Sequence, residues 1–415
     1  MYKKVTGTKD ILPEEILKWQ KIEEISRNIF SLYNYKEIRT PLIEEAALFN
    51  RSLGQTSEII QKQMFLFNPA STDSCALRPE GTASIVRSYI ENNLDKTTGF
   101  AKLYYIGPMF RLERPQKGRL RQFHHIGTEA IGSTDPSLDV EIISLADNML
   151  KEFSIDGYKI KINSLGCAKD KKELIDNLRE ELKTELNKLC PDCQVRFEAN
   201  PLRILDCKNE ACQKIVSELK AKKNCLCPEC ETHFSKVKEG LDALKIAYEI
   251  NPYLARGLDY YTGTVFEITH EALGAQDALG AGGRYNNLVK ELGGPDVGAV
   301  GFAFGVERLL LITELENRIT ASKNLIYLIT LGLEAKKEGL KLLNNLREKG
   351  MASDTDYENK SLKASMRKAN DLNARFVLII GDDELKKDVV TLKDMVSGEQ
   401  KEIKQENLIE SLKIC

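Results

Sequence analysis

Arg256-Gly-Leu-Asp-Tyr-Tyr261 sets a permanent cation, a carboxylate and two phenols in one short stretch of otherwise apolar sequence. Such a string builds one wall of a site for a charged ligand, or it ends a strand whose Tyr260 and Tyr261 pack in a core while Arg256 pairs with Asp259. Upstream, Arg78-Pro-Glu-Gly-Thr82 leads into a helical stretch, Ala83 to Ile90. There Glu80 and Thr82 can receive a ligand's ammonium with Gly81 letting the backbone approach, or Glu80 can face the helix dipole while Thr82 caps the helix. Between two strand-like runs, Phe110-Arg111-Leu-Glu113 is followed by Arg121-Gln-Phe123-His-His125. Arg111 offers a planar fork of donors that keeps its charge and suits a phosphate, Phe123 can stack on a base, and Glu113 can accept from an exocyclic amine. A hairpin with a solvated basic loop accounts for the charges but not for their pairing with Glu113 and Phe123. Glu129 lies among small and apolar residues, where an acid costs several kcal/mol unless it is paired or neutralised, so a partner is expected, such as a ligand cation or an imidazole. Gly280-Ala-Gly-Gly-Arg-Tyr285 lets a ligand come close to backbone. Gly298 to Leu309 reads as a strand entering a helix with Arg308 in its first turn, where an anionic ligand, not the helix dipole, favours a cation.

The elements that must hold these groups alternate in period. Pro13-Glu-Glu15 starts a helix whose Ile16, Trp19, Ile22, Ile25, Ile29 and Leu32 share a face, and Tyr35–Thr40 reads as a strand that Pro41 ends. Strands are predicted over Ala101–Gly107, Gln122–Gly132, Lys159–Asn163, Thr262–Thr269 and Val297–Phe304, without strand-helix alternation. The expected fold is α+β: a mostly antiparallel sheet flanked by helices, with an inserted, mainly helical domain and a C-terminal α/β domain. The expected boundaries are 1–165 and 237–320 for the two parts of the first domain, 166–236 for the insertion and 321–415 for the last domain.

Of ten cysteines, seven fall between Cys190 and Cys230, a clustering that favours metal ligation or reduced thiols over disulfides. Cys190-Pro-Asp-Cys193 and Cys227-Pro-Glu-Cys230 form the pair of turns expected of one tetrahedral structural zinc, with Cys207, Cys212, Cys225 and His233 as spare ligands. Cys75, Cys167 and Cys415 carry no signal. The formal charge of -2 excludes an indiscriminate basic coat for nucleic acid, so any such partner is met locally. With neither a signal-peptide run nor a membrane-length apolar run, the expected location is the cytoplasm.

Together these segments resemble the class II aminoacyl-tRNA synthetases, and within them the histidyl-tRNA synthetase family, over nearly the whole chain. The first helix, strand and Pro41 resemble the class's first motif, Phe110–Phe123 its second and Gly301–Arg308 its third. Arg256–Tyr261 and Ala281–Tyr285 resemble the two histidine-specific signatures. The resemblance implies ATP-dependent activation of histidine to an adenylate, Mg2+ on the phosphates, transfer to the 3′ end of the histidine tRNA, and a homodimer built through the first motif. It assigns Arg111 and Arg256 to catalysis, and Arg111, Glu113, Arg121, Phe123 and Arg308 to ATP. Glu80, Thr82, His125, Glu129, Tyr260 and Tyr261 are assigned to histidine, with His125 standing where the family usually has glutamine. The rival reading is the related non-catalytic regulatory subunit of ATP phosphoribosyltransferase, which senses histidine. That relative usually lacks a C-terminal α/β domain and the ATP arginines, both of which this sequence has.

Overall fold

The computed structural model describes residues 2–54, 57–69, 73–207, 209–219, 226–255, 257–274, 277–315, 324–358 and 360–414. The chain divides into two compact units, Met1–Glu316 and Asn317–Cys415. Among the described residues no helix is long and apolar enough to cross a membrane.

The first unit opens with the helix Pro13–Leu32, which starts at a proline, has Glu14 and Glu15 in its first turn and buries Trp19, Ile22, Ile25 and Ile29. The strand expected over Tyr35–Thr40 is shorter. Only β1 (Lys36–Glu37) is strand, at the sheet edge, although Ile38 still donates to the carbonyl of Tyr104 at 2.8 Å. A small sheet of β2 (Ile43–Glu45), β3 (Phe65–Phe67) and β4 (Cys75–Leu77) then leads into the helix Thr82–Glu91. Next come the hairpin β5 (Ala101–Phe110) and β6 (Gln122–Ile131), the helix Pro136–Glu152 and β7 (Lys159–Ser164). After a helical stretch follow β8 (Glu249–Ile250), β9 (Thr262–Thr269), β10 (Ala278–Arg284) and β11 (Ala299–Gly305).

The large sheet runs β1-β5-β6-β11-β10-β9-β7-β8, antiparallel throughout except for its two edge pairs, β1 with β5 and β7 with β8. Alternation along each strand gives the sheet two unlike faces. One packs with the helices Pro13–Leu32 and Pro136–Glu152 in a core holding Trp19, Ile142, Met149, Phe266 and Phe302. Ile85, Tyr105, Val265 and Tyr285 belong to a second core with the helix Thr82–Glu91.

The helices Ala168–Lys183, Pro191–Ala199 and Glu210–Glu218 gather around their own apolar cluster, including Leu178, Leu182, Phe197, Ile204 and Val216. The helix Pro228–Ala243 faces elsewhere, because Phe234, Val237 and Leu241 join the core under the sheet. The boundary expected near Lys236 falls inside that helix. In the second unit, β12 (Ile326–Thr330), β13 (Ser353–Thr355), β14 (Phe376–Ile380), β15 (Val389–Asp394) and β16 (Gln400–Lys404) form a sheet ordered β13-β12-β14-β15-β16. Its parallel half carries helical crossovers Leu333–Glu348 and Leu362–Asp371, and separate apolar clusters contain Leu328 and Tyr327, successive residues of β12.

Candidate active site

The period of two along β6 assembles the site. Phe123, His125, Gly127 and Glu129 share one face, and the register sets Gly107 and Gly305 beside His125, Tyr105 and Ala303 beside Gly127, and Gly301 beside Glu129. Large side chains on β6 thus border the glycines and alanine of β11, and with residues 278–281 of β10 beyond them these line a cleft of about 370 Å³ above the sheet. Tyr105 wedges in beneath the helix Thr82–Glu91: a Cβ at either Gly81 or Gly127 would lie 2.5 Å from its ring.

At the deep end sits Glu129, 1% exposed. Thr82 Oγ1 donates to its Oε1 at 2.6 Å and the Tyr285 hydroxyl to its Oε2 at 2.5 Å. Burial outweighs those two donors and pushes the carboxyl up to about 8. Glu80, also buried, accepts from the amides of Thr82 at 2.7 Å and Ala83 at 2.9 Å, so its carboxylate closes the helix N-terminus while its own burial raises its pKa. The helix-capping role considered for this string therefore belongs to Glu80, and the Thr82 hydroxyl is turned to Glu129. Tyr260 and Tyr261 are buried with ring centroids 4.7 Å apart, and Tyr260 meets the edge of Tyr285 at 5.7 Å. Asp259 accepts from Asn200 Nδ2 at 2.7 Å. Arg256 lies outside the described residues.

The other end of the cleft is cationic. Arg111 donates through Nε to the carbonyl of Pro79 at 2.8 Å and lies 5.3 Å from the Phe123 ring centroid, with burial lowering its pKa without threatening its charge. Glu113 stands between Arg111, at 3.9 Å, and Arg119, at 3.4 Å. Arg308 donates to the carbonyls of Gly118 and Ala278. His125 is neutral: burial first, then Arg111, Arg78 and Arg308, hold its imidazole down at about 3, and its buried Nδ1 has no partner among the described residues. A ring that cannot protonate near neutral pH does not repel a cation.

Of the residues singled out in the sequence, Glu80, Thr82, Arg111, Glu113, Phe123, His125, Glu129, Tyr260, Tyr261 and Arg308 line this one cleft. Arg121 is not among the lining residues; its side chain lies along Gly7 and its Nε donates to the Glu113 carbonyl at 3.4 Å, so it shapes the loop. Sequence reasoning missed Tyr285 as the partner of Glu129, and Glu307, which accepts from the backbone and Nδ1 of His124, both at 3.0 Å. The signal for Tyr285 was present in the glycine-rich string that ends on it. Its neighbour Arg284 points the other way and is structural, with Nε 2.7 Å and 2.9 Å from the two carboxylate oxygens of buried Asp139.

The cysteines depart from the expected single zinc site. Cys190 and Cys193 meet Cys207 and Cys212, whereas Cys227 and Cys230 meet Cys167 and Asp170. The helix Ala168–Lys183 explains the separation: at about 24 Å long it holds Cys167 at its start far from the cluster that its last turns join. His233 contacts Asp139 at 3.3 Å, and Cys225 and Cys415 lie outside the described residues.

Comparison with known proteins gives a consistent result. The family model described as histidyl-tRNA synthetase matches residues 7–309, and that described as anticodon binding domain matches residues 325–414. The histidine–tRNA ligase of Halothermothrix orenii is 45% identical over 408 residues, 98% of this chain and 97% of the relative. That of Geobacillus sp. (strain WCH70) is 45% identical over 412 residues, 98% of this chain and 97% of the relative. The crystal structure of apo S. aureus histidyl-tRNA synthetase superposes with a TM-score of 0.81 at 38% identity, covering 100% of both chains.

Proposed function

The chain belongs to the histidyl-tRNA synthetase family, and from that premise we propose that it activates histidine with ATP in the cleft above the sheet and passes the histidyl group to the 3′-terminal ribose of the histidine tRNA in the cytoplasm. The observation that carries this reading is the Glu129 carboxyl, buried at one end of a cleft whose other end presents Arg111, Arg119 and Arg308. An amino acid with a hydrogen-bonding ring fits the first end and a triphosphate the second.

In the first step a carboxylate oxygen of histidine attacks the α-phosphorus of ATP, and the bond to the bridging oxygen of the leaving pyrophosphate breaks. Both reactants are bound, so the chain contributes orientation and positive charge and no nucleophile. Glu129 and Tyr261 take the two ring nitrogens. Tyr260 packs beside them, Glu80 and Thr82 receive the ammonium, and neutral His125 stands where ammonium and carboxylate meet. A pocket that pairs both ring nitrogens rejects apolar amino acids by roughly 10⁴ or more, because they would leave buried polar groups unpaired. Arg111 holds the α-phosphate, Phe123 stacks on adenine near Glu113, Arg308 meets the outer phosphates and Arg256 supplies charge as the α-phosphorus becomes pentavalent. Arg121 acts by holding the loop. The Glu113, Glu267 and Asp277 carboxyls, which line the same cleft, are hard oxygen donors of the kind Mg2+ takes and would hold it beside the phosphates, where it neutralises their charge.

We also infer a homodimer through the first motif. Support comes from apolar groups left exposed around it, Leu32, Leu42, Ile43 and Leu66, more than isolated surface residues require. The domain boundaries proposed are those of the fold, with the cysteine-bearing helices as an insertion and the unit from Asn317 as the anticodon-binding part.

The test is histidine-dependent exchange of labelled pyrophosphate into ATP by the full chain with Mg2+. Exchange with histidine and not with other amino acids is expected. Histidine binding without exchange would instead support a sensor.

A further inference from the structure

Cys190-x-x-Cys193 and Cys207-x4-Cys212 come from separate helical segments, yet their four sulfurs all lie within 4.8 Å of one another. Cys190 and Cys207 are 3.8 Å apart, Sγ to Sγ. That is too long for a disulfide, at about 2.05 Å, and equals the edge of a sulfur tetrahedron around an ion with bonds of about 2.3 Å, which is about 3.8 Å. The span leaves room for one ion and none for a multi-iron cluster.

Helix ends and amides face the sulfurs. Cys190 is the N-cap of the helix Pro191–Ala199, and Cys212 lies in the first turn of the helix Glu210–Glu218, so two positive helix ends converge on the sulfurs. Two amides point at them as well: Cys190 donates to Cys212 Sγ at 3.2 Å and Asn209 to Cys207 Sγ at 3.5 Å. Amide donors to ligand atoms are what orient the groups around a bound metal. Four cysteines that served only as small apolar fillers would need neither the helix ends nor the amides.

We propose that Cys190, Cys193, Cys207 and Cys212 bind one structural zinc ion, a site distinct from the second Cys-x-x-Cys turn. Its consequence reaches the cleft. The stretch between Cys193 and Cys207 carries Asn200, which donates to Asp259 beside Tyr260, and Arg203, which lies 3.6 Å from Glu58, and both Arg203 and Glu58 line the cleft. The ion ties down the segment that braces the tyrosine signature from outside.

Full-length protein produced in zinc-supplemented medium is analysed for metal. Cys207→Ser and Cys212→Ser are each expected to lose one equivalent of zinc per chain relative to wild type, and Cys227→Ser to leave that equivalent in place. Replacing the ion in wild-type protein with Co2+ is expected to give the intense visible absorption of tetrahedral thiolate coordination, a readout that does not depend on the variants folding. Chelation is expected to speed hydrogen exchange at the Leu202 and Ile204 amides. Wild-type protein that carries no metal, that carries iron, or that loses its equivalent through Cys227→Ser and not Cys207→Ser overturns the assignment.

Discussion

Glu129 combines two properties that pull against each other: it is buried, and two hydroxyls donate to it. Its folded pKa of about 8 stands above the ordinary 4.5, so the folded chain holds a proton there that the unfolded chain has released. Stability from this group is therefore complete below about pH 4.5 and is lost as pH rises through 8, by up to a few kcal/mol. Glu129→Gln cannot titrate. Urea midpoints measured from pH 5 to 9 are expected to show wild type falling relative to the variant as pH rises, and a constant difference would show that the carboxyl does not titrate in that window. The same substitution replaces a group able to exchange a proton with the substrate ring by an amide that cannot. The KM for histidine is expected to rise about 10-fold or more, the size of one hydrogen bond to a charged partner.

At the level of elements, the pocket depends on strands that differ in side-chain bulk. β6 carries the acid and the rings, and β11 beside it carries Gly301, Ala303 and Gly305 at the matching positions. A Cβ on Gly301 would stand 1.9 Å from Glu129 Oε2 and 2.4 Å from the carbonyl of Thr128. Gly301→Ala is thus expected to displace the carboxyl, cost about 1–3 kcal/mol through overpacking and raise the KM for histidine more than that for ATP. Equal effects on both substrates would indicate general damage to the sheet. Part of this was legible in the sequence: Gln122–Gly132, which carries Phe123, His125 and Glu129, reads as one strand, and Pro13 starts a helix with one apolar face. Cross-strand register was not legible, since nothing local to Tyr285 says that Glu129, far away in sequence, is its partner. The cysteines misled for the same reason. Two Cys-Pro-acid-Cys turns suggested one site, whereas the second turn meets Cys167 and Asp170 at the start of a 16-residue helix whose last turns join the cluster of the first.

Across the whole molecule, the two units have separate apolar cores, and every residue lining the cleft belongs to Met1–Glu316. The histidine and ATP contacts proposed here need nothing from the unit that starts at Asn317, which matches the anticodon binding domain over 325–414. Adenylate formation and tRNA capture should then come apart. A chain ending at Leu315 is expected to fold and to keep histidine-dependent pyrophosphate exchange within several-fold of wild type. Its KM for the histidine tRNA should rise by about 10² or more, because linking a second binding module raises affinity by that order through effective concentration alone. The KM of the intact chain should also rise more steeply with salt than that of the truncated one, since each phosphate neutralised by the second unit adds to the slope. Kinetics of exchange and of aminoacylation for both chains across a salt series measure these effects, and loss of exchange from a folded truncated chain would show that the second unit takes part in the chemistry itself.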